Sequence, residues 1–265
     1  MRRDQPTHPV LAALGGAKWF AKRRPTQKAD DHAQKGCSTC GMHDMQKPVF
    51  RCSQCQWTYY CSRECQRADW KRHKEACRDA FQSRKRVEQL KQENPEEATM
   101  AEDWINWRQA ANSVDTEALC HALNLQRDPS RGRTHIVFRQ AVYTPNDSKS
   151  IRKKFQIVNC SVYRIEDVLT DIEDFMDLNE GEGRAYIQEL IDELIEGDRT
   201  GDGVPILELK LAPGLEIYLG YLMSSRSKLR QITYNSHWRE LMNPKSPPGP
   251  MPPLKSGAQD AEFRF

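Results

Sequence analysis

The sequence predicts a small metal-braced module, a charged helical connector and an α+β domain of element order ββααββ, between disordered ends. Three observations predict it. Eight Cys and His residues fall in four close pairs between 37 and 77, and a charge-rich stretch poor in Gly and Pro follows them. After residue 128 the pattern becomes two β-rich runs, two helical repeats and two further β-rich runs. The 265 residues suffice for one or two domains. Hydrophobic content is 38% and mean hydropathy −0.81, which imply a modest core. No apolar run approaches the ~18 residues of a membrane helix, so no membrane partner is expected.

Residues 1–34 read as a disordered basic arm in which Asp4 and the pair Asp30-Asp31 are the acids. Val10 to Gly15 is too short for a secretory core. The expected location is therefore intracellular, nucleus or cytoplasm, where thiols stay reduced. Clustered cysteines in such a compartment point to metal or catalysis.

Residues 35–79 hold the pattern Cys37-x2-Cys40-x11-Cys52-x2-Cys55-x5-Cys61-x3-Cys65-x7-His73-x3-Cys77. Seven thiols and one imidazole make two tetrahedral sets, and these are the ligands zinc prefers. A C-x2-C pair is a tight knuckle. C-x3-C and H-x3-C place ligands at i and i+4 on one helix face. If 65–73 is helical, Cys65 and His73 lie ~12 Å apart, too far for one ion. Cys61/Cys65 and His73/Cys77 then serve different ions, each recruiting one knuckle, and spacing alone permits either assignment. The segment is too polar to build a core, so two structural Zn2+ must stabilise it, each by roughly 10–16 kcal/mol. Complete ligand sets leave no position for catalysis. Residues 35–86 carry 12 Lys/Arg and 5 Asp/Glu, an excess of +7. Seven thiolates on two divalent ions contribute −3, which lowers the excess to +4. The bases thus partly neutralise the metal sites, and nucleic acid is not an expected partner. Cys120 and Cys160 fall at apolar positions as core thiols.

The run from Cys37 to Cys77, above all YCSRECQRADWKRHKEAC, resembles the MYND zinc finger family. The resemblance covers 37–77 only. It implies a cross-brace: Cys37, Cys40, Cys61 and Cys65 on zinc 1; Cys52, Cys55, His73 and Cys77 on zinc 2. It also implies docking of proline-rich peptides, with Ser53, Gln66 and Trp70 as the peptide-binding residues. Gln66 and Trp70, at i and i+4, share a helix face. Trp70 has a second reading, as cover for the module's own small core.

Residues 80–127 read as a helical connector interrupted at Pro95. Within 128–243, THIVFRQAVYT and KKFQIVNCSVYR read as strands, 165–176 and 186–195 as amphipathic helices, and VPILELKLA and LEIYLGYLM as strands. Residues 165–202 carry 14 Asp/Glu against 2 Arg, which read as solvated helix faces. The tail 244–265, with SPPGPMPPL, reads as proline-rich and disordered.

The expected function is a zinc-binding protein–protein interaction adaptor, with transcriptional regulation as one setting, and not an enzyme. The alternative is an enzyme, for example methyltransferase-like, with the finger as accessory and activity in 128–243. Against it, the Asn-His-Ser-Cys run of SET enzymes, nucleotide loops and Ser-His-Asp patterns are absent from the sequence.

Overall fold

A computed structural model describes residues 36–42, 44, 46–109, 113–198, 200–215, 217–242 and 254–261. The basic arm 1–34, His43 and the proline run 244–253 lie outside the described residues. The chain divides into two compact units, with the boundary between Arg84 and Lys85.

In the first unit, β1 (Phe50–Arg51) pairs antiparallel with β2 (Tyr59–Tyr60). Helix α1 (Arg63–Glu93) follows for 31 residues, of which those up to Arg84 belong to this unit. It has no Gly or Pro. Ser62 Oγ accepts the Cys65 N–H (3.3 Å), capping its start. Pro95 prevents its continuation, because the residue before a proline is disfavoured from helix.

In the second unit, α2 (Pro95–Gln109) starts on a built cap. Asn94 Oδ1 accepts the Glu97 N–H, and the Asn94 amide donates to the Glu97 carboxylate. Pro95 takes the first helical position, where its missing N–H costs nothing. Next come α3 (Ser113–Ala122) and α4 (Arg131–Thr134). β3 (His135–Tyr143) and β4 (Phe155–Arg164) are followed by α5 (Leu169–Met176) and α6 (Gly183–Gly197). β5 (Gly203–Leu211), β6 (Tyr218–Ser225), α7 (Arg226–Leu229) and α8 (Trp238–Met242) complete it. The sheet order is β4-β3-β5-β6. β3 and β5 are parallel, joined by a crossover through β4, α5 and α6, while the outer pairs are antiparallel.

Both faces of the sheet are covered. On one, Ile136, Phe138, Leu207 and Leu209 pack with Ile172 of α5 and Ile187 and Ile191 of α6. On the other, Val137, Val162 and Ile206 pack with Leu119 and Leu123 and with Trp238 of α8. The segment read as a connector therefore supplies core. Trp104 and Trp107, one turn apart on α2, stack at 5.2 Å and bury with Ala141 and Phe155.

Part of the tail read as disordered docks instead. Leu254 and Ala258 pack on the α5/α6 face. The Lys255 N–H (2.6 Å) and Ser256 Oγ both donate to the buried Asp171 carboxylate. The Ala261 N–H donates to Val162 O (2.6 Å) and Asp260 accepts from the Val162 N–H, so the tail covers the edge of β4. Among the described residues no helix is long and apolar enough to cross a membrane.

Candidate metal centre

Each knuckle is the same turn built twice. The Gly41 N–H donates to Cys37 O at 2.8 Å, and the Gln56 N–H to Cys52 O at 2.9 Å. The residue after each second cysteine is left-handed, Gly41 at φ 72° and Gln56 at φ 62°. Glycine adopts this freely, whereas Gln56 is strained in it. Helix α1 supplies the other half of both sites. Cys65 lies in its first turn, just after Cys61. His73 and Cys77 lie one turn apart farther along.

Two ligand sets converge: Cys37, Cys40, Cys61 and Cys65, and Cys52, Cys55, His73 and Cys77, the ligand atoms of each within 4.8 Å of one another. This is the interleaved assignment, which spacing left open. The distances fit zinc. Four sulfurs at ~2.3 Å from an ion sit about 3.8 Å apart, and a sulfur and an imidazole nitrogen about 3.5 Å. Cys40–Cys61 and Cys61–Cys65 sulfurs are 3.5 and 3.6 Å apart. Cys52–Cys77 is 3.8 Å, and Cys55 Sγ to His73 Nε2 is 3.6 Å. Both sets are complete, as structural zinc requires.

The thiols are unequal before metal enters. Burial disfavours the thiolates of Cys37 and Cys52, but hydrogen bonds outweigh it and hold each at about 6: from the backbone of Cys40, Cys61 and Thr39 for Cys37, and from the Cys55 backbone, the His73 side chain and the Gln54 backbone for Cys52. The sulfurs of Cys40 and Cys65 push Cys61 up to about 12, and burial together with Cys52 pushes Cys77 to about 12. Each site thus has one preset thiolate and at least one thiol whose proton zinc must displace, Cys65 being raised as well as Cys61 in the all-cysteine site.

Residues outside the ligand sets orient the ligands. With Nε2 facing the sulfurs, His73 carries its proton on Nδ1, 3.2 Å from Thr58 Oγ1. The Trp57 N–H and the Gln66 amide point at the Cys55 and Cys52 sulfurs, at 3.5 and 3.6 Å. The Tyr60 hydroxyl donates to buried Asp69 (2.7 Å), which also pairs with Arg72. Thr39 Oγ1 donates to Cys65 O (2.6 Å), tying the first knuckle to α1. The sequence reading missed Thr58 and Asp69. The one available signal was a lone polar residue within the aromatic run WTYY.

Gln66 and Trp70 line one shallow depression of ≈ 390 Å³ with Arg63 and Arg67. One edge of Trp70 packs on His73, with ring centroids 6.1 Å apart, and the residue is 45% exposed. The Gln66 amide donates to the Cys52 sulfur at 3.6 Å. Ser53 is exposed in the second knuckle and is not among the residues lining the depression.

Residues 37–77 match the MYND finger family model. Tudor domain-containing protein 1 of Mus musculus is 46% identical over 55 residues, 21% of this chain and 4% of that protein. Its Oryzias latipes counterpart is 40% identical over 98 residues, 37% of this chain and 8% of that protein. SET domain-containing protein 14 of Caenorhabditis elegans is 44% identical over 52 residues, 19% and 11% of the two chains. The chain thus spans about a tenth or less of these relatives. No solved structure matches it.

Proposed function

We propose that the chain is an adaptor, not an enzyme, whose zinc-braced finger docks proline-rich segments of other proteins, with the second unit supplying a further contact. The observation that carries this is Trp70. It is a large aromatic left 45% exposed on a helix rigidified by two metal sites, beside the amide of Gln66 in a shallow depression. An indole face suits proline rings, and a polyproline II segment loses little entropy on docking. Matching fingers in proteins named for different domains, Tudor and SET, support a portable interaction module. Ser53, on the adjoining knuckle, is assigned to the ligand's flank. An intracellular regulator, in transcription among other settings, is consistent with this chemistry.

Trp70→Ala tests the reading more cleanly than Gln66→Ala, which also removes a hydrogen bond to a zinc ligand. Trp70→Ala should abolish binding to a proline-rich peptide library while two zinc ions per chain are retained. Undiminished binding by the two-zinc variant would show that the groove lies elsewhere.

A further inference from the structure

The depression that holds Trp70 is lined by two guanidinium groups, and this bears on which proline-rich segments it takes. Arg63, Gln66, Arg67 and Trp70 stand at i, i+3, i+4 and i+7, one stripe of α1. Arg63 and Arg67 are exposed. Over residues 35–79 the 9 Lys/Arg and 5 Asp/Glu leave +4, which the −3 of the two zinc-thiolate sites lowers to +1, so the positive character of the depression comes from Arg63 and Arg67 themselves.

We infer that the groove selects proline-rich segments that carry acidic residues at set distances from the proline over Trp70. This rests on the peptide-docking reading above. Arginine forks match carboxylates in a bidentate geometry that a lysine cannot reproduce. The spacing follows from the helix. Along the axis Arg67 lies about 4.5 Å and Arg63 about 10.5 Å from Trp70. A polyproline II ligand laid along α1 advances ~3.1 Å per residue. Its acids therefore belong about one to two and about three to four residues from the stacked proline.

The same charge rule excludes the chain's own tail. From Pro244 to Gly257 it contains no acid and carries Lys245 and Lys255. The backbone N–H of Lys255 is already bonded to Asp171. The proposed occupant is a segment of another protein.

The experiment uses the full zinc-loaded chain and fluorescein-labelled proline-rich peptides whose flanks carry Glu, Gln or Lys, with the Glu position scanned. Anisotropy should rank Glu above Gln above Lys, with Glu binding roughly tenfold tighter than Gln at low salt and less so at high salt. Affinity should peak at the two offsets given. The double variant Arg63→Glu/Arg67→Glu, with two zincs retained, should invert the ranking. Equal binding of all flanks, or no dependence on position, would overturn the inference while leaving the docking reading intact. Binding of no proline-rich peptide would overturn the docking reading and the inference with it. An oligonucleotide that binds more tightly than every peptide and is lost on the same reversal would assign the arginines to phosphate instead.

Discussion

Replacing Thr58 by Val should weaken one zinc site and spare the other. The two side chains have the same shape, so the change removes a hydroxyl and little else. Thr58 Oγ1 lies 3.2 Å from His73 Nδ1, and His73 is 6% exposed. In the variant the Nδ1–H loses this acceptor in a largely buried setting. A buried unsatisfied donor costs ~1–3 kcal/mol. At ~1.4 kcal/mol per decade that is about 5- to 150-fold in zinc affinity, in line with the roughly 10–100-fold seen for metal-site hydrogen-bond partners. The Cys52 N–H bond to Thr58 O is made by the backbone and survives. Competition with a chromogenic chelator resolves the two ions. The site that contains His73 should lose affinity and the all-cysteine site should not, and Thr58→Ser should restore it. Equal loss at both sites, or none, would refute the tautomer and the role given to Thr58.

The two sites should also differ in the native chain. Cys40 is exposed, whereas all four ligands of the other set are buried, so a small chelator should strip the all-cysteine site first. Simultaneous release would contradict this. Gln56→Gly should raise the thermal midpoint of the zinc-loaded finger, by relief of about 1 kcal/mol of left-handed strain; a lower midpoint would show that the Gln56 amide bond to Ser53 O matters more. In the second unit, Glu208 lies 2.8 Å from Arg139 and 3.1 Å from Lys210. Glu208→Gln removes the carboxylate that two buried cations share, leaving Arg139 with Asp115 at 3.9 Å, and should destabilise the unit by roughly 3–5 kcal/mol in urea. Burial opposes ionisation of Glu208, but Arg139 and Lys210 outweigh it and hold its pKa below 4.5. Its contribution is therefore complete above pH 4.5 and fades as pH falls through the lower folded-state value. Acid unfolding of Glu208→Gln should be less steep; an unchanged slope would refute the pairing.

Zinc geometry made the finger legible. Tetrahedral coordination restricts ligand type, number and spacing, so Cys37 to Cys77 could be read as eight ligands in four pairs. The pairing was less legible, because a knuckle carries no mark of the helix turn it meets. Thr58 was illegible, since one hydroxyl in WTYY reads as ordinary turn chemistry. In the second unit, ILELKL suggests a strand with Glu208 and Lys210 toward solvent. Helices cover both faces of β5, and the two charges bury against Arg139 instead. Trp104 and Trp107, at i and i+3, were the available sign that the supposed connector packs on the sheet. The docking of 254–261 left little apolar pattern to read beyond Leu254 and Ala258, because polar pins on Asp171, Val162 and Arg239 hold much of it.

The cross-brace underlies the proposed peptide docking, because it holds α1 beneath Trp70. Cadmium NMR of the metal-exchanged chain tests it most directly, since couplings from each cadmium to cysteine β-protons name its ligands. Two resonances are predicted, one coupled to Cys37, Cys40, Cys61 and Cys65, the other to Cys52, Cys55 and Cys77 with a histidine nitrogen. A cadmium coupled to Cys37, Cys40, Cys52 and Cys55 together would contradict it.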